Sequence, residues 1–186
     1  MSTKDLMSNI EAKMQKAVEA YRHDLTSIRT GRANPALLDG LTVDYYGVPT
    51  PISQVGSVSA PEPRLLVVQP WDKSVIKAVE KAILTSDLGL NPSNDGDVIR
   101  IPIPQLTEER RRELVKIVKK KGEDFKVEIR NLRRNGNDDL KKLEKEVSLP
   151  EDTVKATTEE IQELTNVYIK KIDEITKQKE ESVMEI

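Results

Sequence analysis

Between residues 3 and 28, apolar side chains recur every third or fourth position, at Leu6, Ile10, Met14, Ala17, Tyr21, Leu25 and Ile28. This spacing draws one stripe along an α-helix, and Ser2 or Thr3 ahead of it is suited to cap the first turn. A second stripe begins after Thr107 and runs through Leu114, Val118, Phe125, Ile129, Leu132, Leu140, Leu143 and Val147, close to a seven-residue repeat. It continues across Gly122 and Gly136, each of which costs a helix about 1 kcal/mol relative to alanine, and packing against other helices can offset that cost. Both glycines therefore read as tolerated rather than required. At 1.5 Å per residue this second helix is about 60 Å long. A third follows Pro150, with Ser148, Asp152 or Thr153 as its cap and Ile161, Leu164, Tyr168, Ile172, Ile175 and Val183 on its apolar side. Three one-sided helices of this length predict an elongated three-helix bundle.

The pattern changes between residues 31 and 104. Nine of the ten prolines, six of the eight glycines and Trp71 fall here. Short β-branched runs at 41–46, 65–69 and 97–103 predict three or more strands, and Val75, Val79, Ala82 and Ile83 form one helical face within 72–84. The fold class is therefore α+β, a bundle of residues 1–30 and 105–186 carrying an inserted small β/α/β domain at 31–104. The insertion leaves the bundle at Thr30-Gly31-Arg32 and rejoins it at Ile103-Pro104-Gln105. Glycine on one crossing and proline on the other predict a hinge at 30–32 and 103–105, centred on Thr30, Gly31, Ile103 and Pro104.

Composition excludes much of enzymology. The chain has no cysteine and one histidine, so it offers no thiol nucleophile, no disulfide and no multi-histidine zinc site. No catalytic residue, metal or cofactor is proposed. No run is long and apolar enough to span a membrane, and the polar N-terminus lacks the pattern of a secretory signal, so the expected address is the cytoplasm. A self-packed rod predicts a monomer.

The net charge of -2 conceals an asymmetry. Residues 105–147 carry 14 Lys and Arg against 10 Asp and Glu, whereas 148–186 carry 5 against 10. On a helical projection Arg112, Lys116, Lys119, Lys126, Arg130, Arg133, Arg134 and Lys141 share an arc of roughly 100° beside the apolar stripe. One reading is a solvated face partly paired with the acids of the third helix. The other is phosphate binding, favoured by three arginines within the RNLRR stretch at 130–134, because the planar guanidinium grips phosphate in two-point contacts. A-form RNA is recognised through backbone and shape, which suits a straight basic edge without stacking aromatics.

RTGRANP at 29–35 together with RNLRR at 130–134 resembles the ribosome recycling factor family. YYGVPTPI at 45–52, DLGLNP at 87–92, LTEERRRELVKIVK at 106–119 and the order of segments extend the resemblance over essentially the whole chain. The resemblance implies a roughly L-shaped, hinged molecule that binds the post-termination ribosome. With elongation factor G and GTP, the latter consumed by that partner, it would split the ribosome into subunits and free mRNA and tRNA. It implies that Arg130, Arg133 and Arg134 contact large-subunit rRNA, that Arg29 and Arg32 lie near the same end of the bundle, and that elongation factor G pushes on the insertion. Lys119 and Lys126 join the candidate RNA-binding set from their place on the basic arc. No GxxxxGK[ST] phosphate loop occurs in the chain, in keeping with a binding factor and not an enzyme.

Other features have plainer readings. His23 reads as structural. Asn94-Asp95-Gly96-Asp97 lacks the spacing of a calcium loop and reads as a turn. Pro49, Pro51, Pro61 and Pro63 read as shaping loops and sheet edges. The rival function is a helical scaffold or chaperone binding protein clients through apolar surface, which would show little salt dependence.

Overall fold

The structure is a computed structural model describing residues 1–28 and 30–185. It divides into two compact units. The first comprises Met1–Leu25 and Glu113–Glu181, the second Thr26–Arg112 with the chain from Ser182 onward.

Three helices supply the first unit: α1 (Thr3–Thr26), α4 (Glu108–Val147) and α5 (Glu151–Met184). Ser2 caps α1 as expected, its hydroxyl accepting from the Asp5 N–H while the Asp5 carboxylate accepts from the Ser2 N–H. Thr107 does the same for α4, accepting from the Arg110 N–H at 3.1 Å. All seven residues of the first apolar stripe are buried, Ile28 just beyond the end of α1. Val147, by contrast, is exposed, so the second stripe ends at Leu143. Cross-helix contacts fix the directions: Asp24 meets Lys121 and Glu123-flanked Lys126 meets Asp173, so α4 runs antiparallel to both neighbours. Tyr21 bonds to Thr176 and Tyr168 to Glu11, so α1 and α5 run parallel.

Two expectations for this unit are corrected. The glycines of α4 are contact points: a Cβ on Gly122 would lie 2.7 Å from Thr176 Oγ1 and 3.0 Å from the Tyr21 hydroxyl, and one on Gly136 would lie 2.5 Å from Ile10 Cδ1. They let the neighbouring helices approach more closely than alanine would permit. Ser148 is not a cap for α5 but the stop for α4. It sits in the left-handed region at φ 50, and the Leu149 N–H reaches back to the Glu144 carbonyl at 3.3 Å, the six-residue closure of a Schellman motif. Helix α5 starts directly after Pro150, whose carbonyl accepts from the Val154 N–H. Thr157 and Thr165 are buried on α5 and satisfied by their own helix, donating to the carbonyls of Thr153 and Ile161.

Among its described residues the second unit holds six strands, within the three or more that the sequence pattern predicts. A hairpin pairs β1 (Thr42–Tyr45) with β2 (Val48–Pro51), and a four-stranded antiparallel sheet has the order β3-β4-β6-β5, formed by Gly56–Glu62, Leu65–Pro70, Ile99–Pro102 and Ser93–Asn94. A one-turn helix α2 (Ile52–Val55) links the two sheets. Pro49, Pro51 and Pro61 sit within the two-stranded hairpin or edge strand β3, where a missing N–H breaks no central ladder. Helix α3 (Ile76–Leu84) buries Ile76, Val79 and Ile83 against a core that includes Val43, Ile52, Leu66, Val68, Ile99 and Ile101. The 94–97 segment is the expected turn: the Asp95 carboxylate accepts from the N–H groups of Asp97 and Val98 and pairs with Arg100.

Candidate RNA-binding face

The basic arc of α4 separates into two rows because part of it borders the buried stripe. Lys126 and Arg133 lie on the edge next to the stripe and engage α5. The Lys126 side chain is only 15% exposed and its ammonium contacts Glu123 at 2.7 Å and Asp173 at 2.8 Å. The Asp173 carboxylate, and after it Glu123, hold that ammonium above the ordinary lysine range. Arg133, half-buried, donates from Nη1 to Gln162 Oε1 at 3.2 Å, and Gln162 is held in turn by donating to Asn166 Oδ1 at 2.9 Å. The outer row is Lys116, Lys119, Arg130, Arg134 and Lys141. Among the described residues none of these five forms an ion pair, so α5 does not neutralise them. Arg130 is half-buried and the other four are exposed. From Lys116 to Lys141 the row extends about 37 Å along the helix.

Of the remaining candidates, Arg112 pairs with Glu108 on its own helix and belongs to the second unit. Arg32 is exposed in that unit, 3.3 Å from the Glu185 carboxylate. Arg29 lies outside the described residues. The four hinge candidates all fall within the second unit. Ile103 is buried in its core, with its N–H donating to the Arg64 carbonyl at 2.8 Å, and Pro104 is the next residue along the chain.

Sequence reasoning did not identify Gln162 or Asp173 as residues that position the basic edge. A signal was available. The short Ser148–Pro150 connection makes α4 and α5 antiparallel, so residues roughly equidistant from Leu149 face each other. No cluster of three or more metal-ligating side chains occurs among the described residues, and no helix among them is long and apolar enough to cross a membrane.

Comparison with known proteins agrees with this architecture. The ribosome recycling factor family model matches residues 21–184. The ribosome-recycling factor of Geobacillus sp. (strain WCH70) is 62% identical over 181 residues, covering 97% of this chain and 98% of that one. The Bacillus subtilis (strain 168) ribosome-recycling factor is 54% identical over 184 residues, 99% of this chain and all of that one. A solution structure of a ribosome recycling factor superposes with a TM-score of 0.78 at 40% identity, over 100% of this chain and 99% of that chain. A further match, with TM-score 0.69 and 50% identity over the full length of both chains, is described as T. thermophilus ribosome recycling factor and E. coli elongation factor G bound to the E. coli post-termination complex. With a bundle, an insertion and full-length relatives all in agreement, this chain belongs to the ribosome recycling factor family.

Proposed function

We propose that the outer row of α4, together with Arg133, docks on large-subunit rRNA of the post-termination ribosome. With elongation factor G and GTP, the protein then splits the subunits and releases mRNA and tRNA in the cytoplasm. The observation that carries this reading is the set of five cations that have no carboxylate partner among the described residues, along one side of a helix whose Lys126 and Arg133 are tied to α5. RNA binding of this kind is driven by phosphate neutralisation and counterion release, and needs no base-reading side chains. The protein is a binding factor rather than an enzyme: its work is to anchor through charge-assisted hydrogen bonds while its partner hydrolyses nucleotide.

In this reading Lys126 is an organiser of the α4–α5 seam, and Arg130, Arg133 and Arg134 are the central contacts, with Lys119 beside them. Arg29 and Arg32 belong to the same proposed contact set. The insertion swings about Thr30-Gly31 and Ile103-Pro104. Support for that pivot comes from Ile103, the last residue of its segment packed in the insertion core, followed immediately by a proline.

The test is light scattering of post-termination ribosomes mixed with this protein, elongation factor G and GTP. A fall in scattering that needs all three components is expected, and a weaker fall with Arg133→Ala. Ribosome sedimentation across a salt series is the companion measurement, with each lost phosphate contact lowering the log–log salt slope by about one. A folded Arg133→Ala protein that binds and splits as the parent does removes that residue from the contact surface.

A further inference from the structure

Three glycines in the chain directly follow an aspartate or an asparagine, at Asp39-Gly40, Asp95-Gly96 and Asn135-Gly136. Glycine has no side chain to shield its own backbone nitrogen, and that nitrogen can attack the carbonyl carbon of the preceding side chain and close a five-membered succinimide ring. Closure needs a nitrogen with no competing hydrogen bond, a side-chain carbon that is electrophilic, and a backbone able to turn. The three sites meet these needs very differently.

Asn135-Gly136 lies inside α4, where each backbone N–H is committed to the carbonyl four residues back, and Gly136 is packed against Ile10. Both its nitrogen and its backbone are held. At Asp95-Gly96 the Gly96 N–H donates to Asn94 Oδ1 at 3.3 Å, and Asp95 Oδ1 accepts from the N–H groups of Asp97 and Val98, each at 3.0 Å. Asp95 Oδ2 pairs with Arg100 at 2.5 Å. Arg100 first, and then the N–H groups of Val98 and Asp97, hold this carboxyl ionised well below the usual carboxylate range. An ionised carboxylate is a poor electrophile, because the neutral acid is the form that loses its hydroxyl.

Asp39-Gly40 has none of these restraints. It connects the 3₁₀ turn Pro35–Leu38 to β1, and both residues are exposed. Among the described residues the Asp39 carboxylate has no hydrogen-bond or ion-pair partner, and the Gly40 N–H donates to no acceptor. A Cβ on Gly40 would meet nothing within 4 Å, so the turn has room to change shape. One hydrogen bond spans the pair, from the Leu41 N–H to the Leu38 carbonyl at 3.2 Å, the long end of the usual range. Opening it lets Asp39 rotate from its ψ of 63 and bring the Gly40 nitrogen to its own Cγ.

We propose that Asp39-Gly40 is a site of spontaneous aspartate isomerisation, the one of the three that the fold leaves open. The Gly40 nitrogen bonds to Cγ of the neutral Asp39 carboxyl, and the carboxyl hydroxyl leaves with the nitrogen's proton as water. Water then adds to one of the two ring carbonyls. Addition at Cγ restores aspartate, whereas addition at the main-chain carbonyl carbon gives isoaspartate, in which the chain runs through Cγ and the α-carboxylate is free. Nothing is oxidised or reduced, and the chain keeps its mass. The product places an extra main-chain carbon between Leu38, buried in the insertion core, and Leu41, whose carbonyl accepts from the Ile52 N–H.

The test holds the full-length protein at physiological temperature and mildly acidic pH until a peptide of residues 36–43, kept alongside, carries a readily measured fraction of isoaspartate. Digestion and electron-transfer fragmentation then locate isoaspartate along the chain, and methyl transfer from labelled S-adenosylmethionine by an isoaspartate carboxyl methyltransferase counts it independently. Position 39 should react within about tenfold of the peptide, the cost of opening one hydrogen bond. It should exceed position 95 by at least about tenfold, because each pKa unit of depression removes about tenfold of the neutral acid. Asp39→Glu keeps the charge but would have to close a six-membered ring, and its methyl acceptance should stay at the level of unincubated protein. Position 39 as unreactive as position 95 while the peptide isomerises, more product at 95 or 135 than at 39, or undiminished methyl acceptance in Asp39→Glu would each overturn the assignment.

Discussion

Replacing Gly122 with alanine tests whether close helix approach, and not helix propensity, governs the bundle. Propensity alone favours the substitution by about 1 kcal/mol. The added methyl, however, would lie 2.7 Å from Thr176 Oγ1 and 3.0 Å from the Tyr21 hydroxyl. Neither group is a free-swinging end. The two hydroxyls bond to each other at 2.5 Å, Thr176 also donates to the Ile172 carbonyl at 2.7 Å, and the Tyr21 ring is buried against Phe125 at 5.0 Å between centroids. Relieving the contact means parting the helices or breaking the hydroxyl pair, at about 1–3 kcal/mol for either route, so after the propensity gain the net change runs from neutral to a destabilisation of about 2 kcal/mol. In a Thr176→Ala background the nearest obstacle is gone, and Gly122→Ala should become neutral or stabilising. Urea unfolding of the four proteins, followed by helical circular dichroism, gives the double-mutant cycle. A Gly122→Ala protein more stable than the parent, or one whose penalty is unchanged without the Thr176 side chain, would refute the reasoning.

Three further outcomes follow from named contacts. Ser148→Gly should stabilise the protein by about 1 kcal/mol, because glycine occupies the left-handed stop of α4 without strain; thermal unfolding checks it. Asp95 is held well below the usual carboxylate range, first by Arg100 and then by the N–H groups of Val98 and Asp97. A depressed folded-state pKa stabilises above the unfolded value of about 4 and is lost as pH falls below it, so Asp95→Asn should flatten the acid limb of the stability profile while lowering stability at neutral pH. Lys126→Met should leave the salt slope of ribosome binding near the parental value, whereas Arg130→Ala should lower it by about one; equal slopes for the two variants would contradict the separation into rows.

Periodicity made the helices legible because each has one buried side, and the spacing of Leu6 through Ile28 translates directly into burial. Signals that depend on a neighbour were not legible. Gly122 and Gly136 looked like costs because only the positions of Thr176, Tyr21 and Ile10 reveal that there is no room for a methyl group. Ser148 suited an N-cap by residue type, yet it ends one helix instead of starting the next, since the choice depends on backbone angles that residue type does not determine. In the insertion, β2 and β3 were hidden by their prolines, which argue against central strands but are harmless in a hairpin or at an edge. The basic arc was visible as a projection. Its division was not, because Lys126 and Arg133 differ from Lys119 and Arg130 only in their angle to the buried stripe.

That division bears on where binding energy is concentrated. Lysines such as Lys116, Lys119 and Lys141 stand in solvent and must give up rotamer freedom when they meet a phosphate, so much of their contribution is long-range and weakened by salt. Arg133 is already oriented by Gln162, which is itself held by Asn166, and Arg130 is half-buried on the same helix one turn away. A guanidinium held before binding loses less entropy on contact, and its fork matches a phosphate in two-point geometry. The sharper consequence concerns Gln162, which carries no charge and need touch no RNA. Gln162→Ala should weaken ribosome binding in the parent but have no effect in an Arg133→Ala background, with the salt slope preserved because no phosphate contact is deleted. If Gln162→Ala weakens binding equally in both backgrounds, Gln162 meets the ribosome itself and Arg133 is not held in advance.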